Sequence, residues 1–167
     1  MKALVLYDSV YGNTAQIAKA IGKGLSEHLE TSVIEAKAFA PGLRPDAQLL
    51  IVGSPTLGFR PTPPVNKFLN RLTANSLDKI LVAGFDTRIP LTNIKSVPLR
   101  FMVKKAGYPA KIISNKLRRK GGEMIAEPEG FLVSEQQGPL VPRELSRAEA
   151  WGKNIGLKAL SLSVKTV

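Results

Sequence analysis

Three short apolar runs punctuate the first half of the chain: Ala3-Leu4-Val5-Leu6-Tyr7, Leu49-Leu50-Ile51-Val52-Gly53, and Ile80-Leu81-Val82-Ala83 within Lys79 to Phe85. Each has strand length and lacks a polar residue at alternate positions, the pattern of a strand buried on both faces of a parallel sheet. A helical period lies between them. Ile17, Ala18, Ile21 and Leu25 predict a helix from Thr14 to about Leu29, with Asn13 as its cap. Thr31 to Glu35 reads as a second strand, Ala40 to Asp46 as a loop broken by Pro and Gly, and Val65 to Leu72 as a short helix. A basic helical stretch runs from about Val97 to Lys120, broken near Gly107 and Pro109 and stopped by Gly121-Gly122. Glu123 to Glu127 reads as the last strand. Arg147 to Leu162 reads as a closing helix that buries Trp151, Ile155, Leu157 or Leu160 against the sheet. Gly130 to Glu144, with Gly138-Pro139 and Pro142, lacks a helical period and reads as an excursion beside the fifth strand. Alternating strands and helices specify an α/β protein with a parallel sheet, and 167 residues without repeat or linker fit one domain, 1–167.

Charge changes this picture locally. The net charge is +11, yet no acidic residue occurs between Asp86 and Glu123. That interval holds Arg88, Lys95, Arg100, Lys104, Lys105, Lys111, Lys116, Arg118, Arg119 and Lys120, and elsewhere basic and acidic residues nearly balance. The 88–120 segment therefore either presents one basic face to an acidic partner or is a solvated helix face that aids solubility. The absence of cysteine excludes disulfides, thiol nucleophiles and iron–sulfur ligation, so any redox chemistry must come from a bound cofactor. No apolar run approaches a membrane span, and the apolar start is too short for a signal-peptide core, so the expected location is cytoplasmic.

The loop Ser9-Val10-Tyr11-Gly12-Asn13-Thr14 joins the first strand to the first helix. Backbone N–H groups and the positive end of a helix dipole meet there, which suits a phosphate, with Ser9, Asn13 and Thr14 adding side-chain hydrogen bonds and Gly12 supplying a positive φ. The same residue types also serve any tight turn and helix cap. The loop lacks the Gly-Lys-Ser/Thr ending of a triphosphate-binding loop and the spaced glycines of a dinucleotide fingerprint. His28, the one histidine, reads as a solvated helix-end residue, and no Ser/His/Asp set or carboxylate pair can be assembled for hydrolysis.

Leu6 through Ala18, with its aromatic residue and Gly-Asn-Thr leading into an Ala-containing helix, resembles the signature of the flavodoxin family. The likeness extends along the chain to Ser54-Pro55-Thr56-Leu57-Gly58-Phe59-Arg60, Gly84-Phe85-Asp86-Thr87-Arg88, Glu129-Gly130-Phe131 and Gly138-Pro139-Leu140. These later stretches look like those of small prokaryotic flavodoxin-domain proteins, including the flavodoxin modules of flavodiiron proteins. The resemblance implies a three-layer α/β/α sandwich around a five-stranded parallel sheet of order 2-1-3-4-5, where loops after strands one, three and four meet at the topological switch point. It further implies FMN, with Ser9, Val10, Tyr11, Gly12, Asn13 and Thr14 at the phosphate. Pro55, Thr56, Leu57, Gly58 and Phe59, together with Phe85, Asp86, Thr87 and Arg88, would lie at the isoalloxazine, and Gly58 could change conformation on flavin reduction. Asp86 and Arg88 could equally pair with each other. The one Trp, Trp151, falls inside the closing helix as a core residue, which leaves Tyr11, Phe59 and Phe85 as aromatic neighbours of a flavin.

The expected function is a one- or two-electron carrier in which FMN carries the chemistry. An NAD(P)H-dependent quinone reductase is the enzymatic alternative, and a non-redox scaffold binding an anionic partner through 88–120 is the alternative of another class. The basic segment suggests an acidic redox partner and, if close to the ring, a less reducing low-potential couple than an acidic flavodoxin has. Nucleic acid is disfavoured by the lack of an aromatic-interleaved basic motif.

Overall fold

A computed structural model describes residues 1–39, 45–93, 96–98 and 107–164. Six strand segments, β1 (Lys2–Tyr7), β2 (Glu30–Glu35), β3 (Leu49–Pro55), β4 (Leu81–Arg88), β5 (Glu123–Met124) and β6 (Glu129–Leu132), form one sheet. The order is β2-β1-β3-β4-β5, with β6 also pairing with β4, and every pairing is parallel. The fifth position is thus one edge strand in two pieces: β5 pairs with the start of β4 through Leu81 and Val82, and β6 with its end from Phe85 to Arg88. Between the pieces stands Pro128, which has no N–H to give a ladder. The expectation of a single strand from Glu123 to Glu127 followed by an excursion from Gly130 is corrected accordingly, because Gly130 to Leu132 are in the sheet.

Among the described residues, the helices α1 (Asn13–Ser26), α2 (Pro63–Arg71), α3 (Pro109–Arg119) and α4 (Glu144–Val164) flank the sheet. Strand alternation assigns them to layers. Val5, Tyr7, Ile51, Ala83 and Phe85 join Ile17, Ile21 and Leu25 of α1 and Ala148, Ile155 and Ala159 of α4 in one core. Leu4, Leu6, Leu50, Val52 and Val82 join Val65 and Leu69 of α2 and Ile113 and Leu117 of α3 in the other. The result is the expected α/β/α sandwich, whose inner strands β1, β3 and β4 are buried almost throughout while the edge strand β2 is partly exposed.

Boundaries shift where tertiary contacts dominate. Gly12, in the left-handed region at φ 86, caps α1 in place of Asn13, whose side chain instead donates to the Gln137 carbonyl at 3.0 Å. Of the expected basic stretch from Val97 to Lys120, α3 accounts for the part after Pro109, and 99–106 lie outside the described residues. The loop expected over Ala40 to Asp46 falls mostly outside them too. In α4, Ile155 is buried and Trp151 is half-buried with its ring edge-on to Phe131 at 6.0 Å, but Leu157 faces outward. Small residues take the inward positions because α4 lies against α1 at backbone distance. A Cβ on Gly24 would fall 2.0 Å from the Glu149 carbonyl oxygen, and one on Gly152 would fall 2.3 Å from that of Ile21. His28 is half-buried rather than solvated: it packs beside Gly156, and its Nε2 is buried with no partner among the described residues.

Glu144 ties α4 to the edge of the sheet. It accepts the Leu132 N–H at 2.6 Å and pairs with Arg147, which in turn donates to the Gly130 carbonyl at 2.5 Å. Burial pushes the Glu144 carboxyl up, but Arg147 and the Leu132 N–H together outweigh it and leave the group below its ordinary value.

Two outcomes are expected. Gly152→Ala should cost about 1–3 kcal/mol of stability, read as a lower denaturation midpoint, since backbone opposes the added methyl. Because its folded pKa is depressed, Glu144 contributes stability that is present above its ordinary value of 4.5 and lost as pH falls through the folded value. Denaturation across that acid range should show part of the wild-type pH dependence missing in Glu144→Gln.

Candidate functional site

The carboxyl ends of β1, β3 and β4 lie side by side, with Tyr7 opposite Gly53 and Gly53 opposite Phe85. Chain leaving them surrounds a cavity of about 50 Å³ lined by Tyr11, Asn13 and Thr14 from the first loop, Pro55, Thr56 and Leu57 from the second, and Thr87 and Arg88 from the end of β4. Loops far apart in sequence are therefore one site.

The first loop is shaped by its own hydrogen bonds. Ser9 Oγ accepts the N–H groups of Gly12 at 3.1 Å and Ala15 at 3.2 Å, and the Gly12 carbonyl accepts the Gln16 N–H at 3.1 Å. The N–H groups of Asn13 and Thr14, first in the helix, have no intrahelical acceptor by geometry. A Cβ on Gly12 would meet nothing within 4 Å, so its positive φ rather than crowding favours glycine there. Thr14 Oγ1 and Thr87 Oγ1 are 2.8 Å apart, a hydrogen bond between two buried hydroxyls that fastens the first loop to the end of β4.

The second loop turns sharply. The Arg60 N–H donates to the Leu57 carbonyl at 3.1 Å across Gly58 at φ 54 and Phe59 at φ 63. Two successive positive φ values define a type I′-like turn, unusual for an aromatic residue at its second position. Thr56 is held by its N–H, which donates to the Thr87 carbonyl at 3.0 Å, while its Oγ1 is buried with no partner among the described residues.

The stretch expected as a third loop, Gly84 to Arg88, is strand: β4 runs to Arg88 because Gly53 to Pro55 pair with it on one side and Glu129 to Leu132 on the other. Alternation then separates its side chains. Thr87 faces the cavity. Phe85 points into the α1/α4 core beneath Gly53, with its ring 6.1 Å from Phe131, and is corrected from a ring contact to a core residue. Asp86 is likewise removed from the cavity lining. On the α3 side, without solvent exposure, it pairs with Arg88 through Nε at 2.5 Å and Nη2 at 2.7 Å and accepts the Ala110 N–H at 2.8 Å, capping α3. Burial pushes its carboxyl up from the ordinary value, and the Arg88 and Ala110 hydrogen bonds pull against that. The guanidinium sits 3.7 Å above the Tyr108 ring, over Gly130, where any Cβ would collide with it.

Ser9, Val10, Gly12, Gly58 and Phe59 flank the cavity in its loops without lining it, whereas Ile89, Val133 and Gln136 do line it and escaped the sequence reading. The one available signal for the latter two was Gly138-Pro139, since Asn13 packs against Gly138 and bonds to Gln137. Of the basic interval, Lys95, Arg100, Lys104 and Lys105 lie outside the described residues. Lys116, Arg118 and Arg119 occupy the last turn of α3. That turn is about 9–14 Å from its Asp86-capped start and adjoins Leu77, before β4 begins. These charges are at the far end of the sheet from the cavity, so the expected effect of a basic segment close to a flavin ring does not extend to them.

An open doubly wound sheet with a loop-built cavity at its switch point defines a mononucleotide-binding class of architecture. The sequence profile of the flavodoxin family matches residues 5–141, and the chain belongs to that family. Its fold is similar to that of a flavodoxin from the domain Archaea (TM-score 0.74, 24% identity, 95% of this chain and 99% of that one). A Streptococcus pneumoniae flavodoxin is similar at TM-score 0.73 and 18% identity, over 95% of this chain and 99% of that one. The rubredoxin oxygen:oxidoreductase of Desulfovibrio gigas gives 0.72 and 18% over 96% of this chain, which corresponds to 36% of that longer protein. An uncharacterised protein of Methanocaldococcus jannaschii is 37% identical over 92 residues, 49% of this chain and 22% of the relative's length.

Arg88→Ala would leave the Asp86 carboxylate buried without its cation, an uncompensated charge costing about 3–5 kcal/mol. Denaturant titration should show that loss, with helix content near α3 falling first.

Proposed function

We propose that the protein is an FMN-binding electron carrier, with the cavity at the ends of β1, β3 and β4 as the flavin site. One observation carries this reading: hydrogen-bonding groups converge there without partners among the described residues. They are the buried Thr56 Oγ1 and the Asn13 and Thr14 N–H groups, which as the first of α1 have no intrahelical acceptor. The donor set fits the group. The α1 start, with Ser9 and Thr14, would hold the phosphate by dipoles and hydroxyls, without a Lys or Arg in the loop. A cavity of about 50 Å³ is too small to enclose a tricyclic ring, so ring contacts fall at its rim, where Tyr11 and Leu57 are 44% and 37% exposed. Thr56 would donate or accept at the ring's polar edge, and the Leu57–Arg60 turn would close that edge from water. Bound FMN supplies one- and two-electron redox chemistry; the chain supplies binding and orientation.

The basic residues of α3 would steer an acidic redox partner through the long-range field, with salt-sensitive association, rather than by contact at the flavin.

Purified protein mixed with FMN should quench flavin fluorescence and give flavin absorption bands that bleach reversibly on reduction. Thr14→Val, which removes a hydroxyl from the α1 start, should weaken FMN about tenfold. Steady-state quinone turnover with NAD(P)H would replace the carrier reading with a reductase, and failure to bind FMN would remove both.

A further inference from the structure

On the other face of β4 from the flavin cavity, a hollow of about 630 Å³ runs along α3. It follows from the broken edge strand. The apolar positions Ala110, Ile113 and Leu117 hold α3 to the sheet. Lys111, Ser114, Asn115 and Arg118 recur at helical spacing as a polar stripe that walls the hollow opposite Met124 and Pro128, where the edge ladder is interrupted.

Three observations give this hollow the chemistry of a ligand site. Ser114 is only 4% exposed, lies on its wall against Gly84, and has its Oγ buried with no partner among the described residues. An unsatisfied buried hydroxyl is costly, and a turn of the Ser114 side chain from Gly84 toward the hollow would let a ligand atom satisfy it. Among the described residues, Lys111 and Arg118 are exposed cations facing the hollow against one carboxylate, Glu127, because Asp86 already neutralises Arg88. At the upper end, the Tyr108 ring and the Arg88 guanidinium stacked on it give a flat surface, and Asp86 uses only two of the five guanidinium N–H groups. The volume is on the scale of a mononucleotide site.

We propose that this hollow is a second binding site, for a small molecule that joins a flat ring to a phosphate or carboxylate. The anionic group faces Lys111 and Arg118 within reach of Ser114 and the Asn115 amide, and the ring lies toward Tyr108. No flavin is needed, so this site stands or falls separately from the electron-carrier reading.

Adenosine monophosphate is the probe, with adenosine and inorganic phosphate as its halves, titrated into the full chain and followed by backbone-amide NMR. Saturable shifts are expected over Tyr108 to Arg118 and Met124 to Glu127, with the whole nucleotide binding about tenfold tighter than either half. A Lys111→Ala/Arg118→Ala double variant should weaken it by a similar factor without disturbing the shifts of Ser9 to Thr14. Ser114→Ala should weaken the nucleotide severalfold while leaving stability unchanged or higher, an outcome that a merely structural serine would not give. Nucleotide shifts confined to Ser9–Thr14, equal affinity for phosphate alone, no saturation at millimolar concentration, or full binding by Ser114→Ala would each overturn the proposal.

Discussion

A carboxylate with no access to solvent, Asp86, organises the half of the molecule that carries both cavities. Buried alone it would be untenable; its charge is met by the Arg88 fork and its remaining acceptor capacity by the first free N–H of α3. That arrangement anchors α3 against β4. It also holds Arg88 on Tyr108 and requires a glycine at 130, so the edge strand can approach only where no Cβ intervenes. One residue further along the strand, the pleat turns Thr87 to the opposite face, where its hydroxyl meets Thr14. A single strand end thus fixes a helix on one side and the loop that opens α1 on the other.

Two hydroxyls without partners among the described residues mark the two sides of this strand. Thr56 lies at the cavity beyond β1, β3 and β4 and Ser114 at the α3 hollow, and Arg88 borders both. Elsewhere polar side chains at these loops have protein partners: Ser9 accepts two backbone N–H groups, keeping its own O–H to donate, and Ser54 accepts that of Thr62 at 2.9 Å. The contrast matters because a folded protein tolerates few unsatisfied buried groups, and those it keeps tend to be where something else binds.

The charge distribution has a comparable division. The sequence concentrates its positive charge in one interval, but α3 spreads its part along a helix that runs away from the cavity at the switch point, so the described charges are poorly placed to act on a group held there and well placed to act on a surface or a hollow beside α3.

Much of the fold was legible from pattern alone. The uninterrupted apolar runs of β1, β3 and β4 could belong only to strands covered on both faces, and Ser9 to Thr14 declared a strand-to-helix turn with a positive-φ glycine, since these are local properties of a few consecutive residues. What the sequence could not show depended on partners distant along the chain. That Gly84 to Arg88 is strand rather than loop was decided by pairing with Gly53 to Pro55 and Glu129 to Leu132; Phe85 and Thr87 then share the α1 face, and position along the strand places Phe85 in the core beneath Gly53 and Thr87 at the cavity two residues nearer the strand end. Asn13 reads as a helix cap until Gln137, more than a hundred residues on, takes its amide. Local periodicity specifies which elements form, whereas register, facing and the meeting of Val133 and Gln136 with the first loop exist only once the sheet is assembled, because hydrogen-bond pairing between strands carries no local signature.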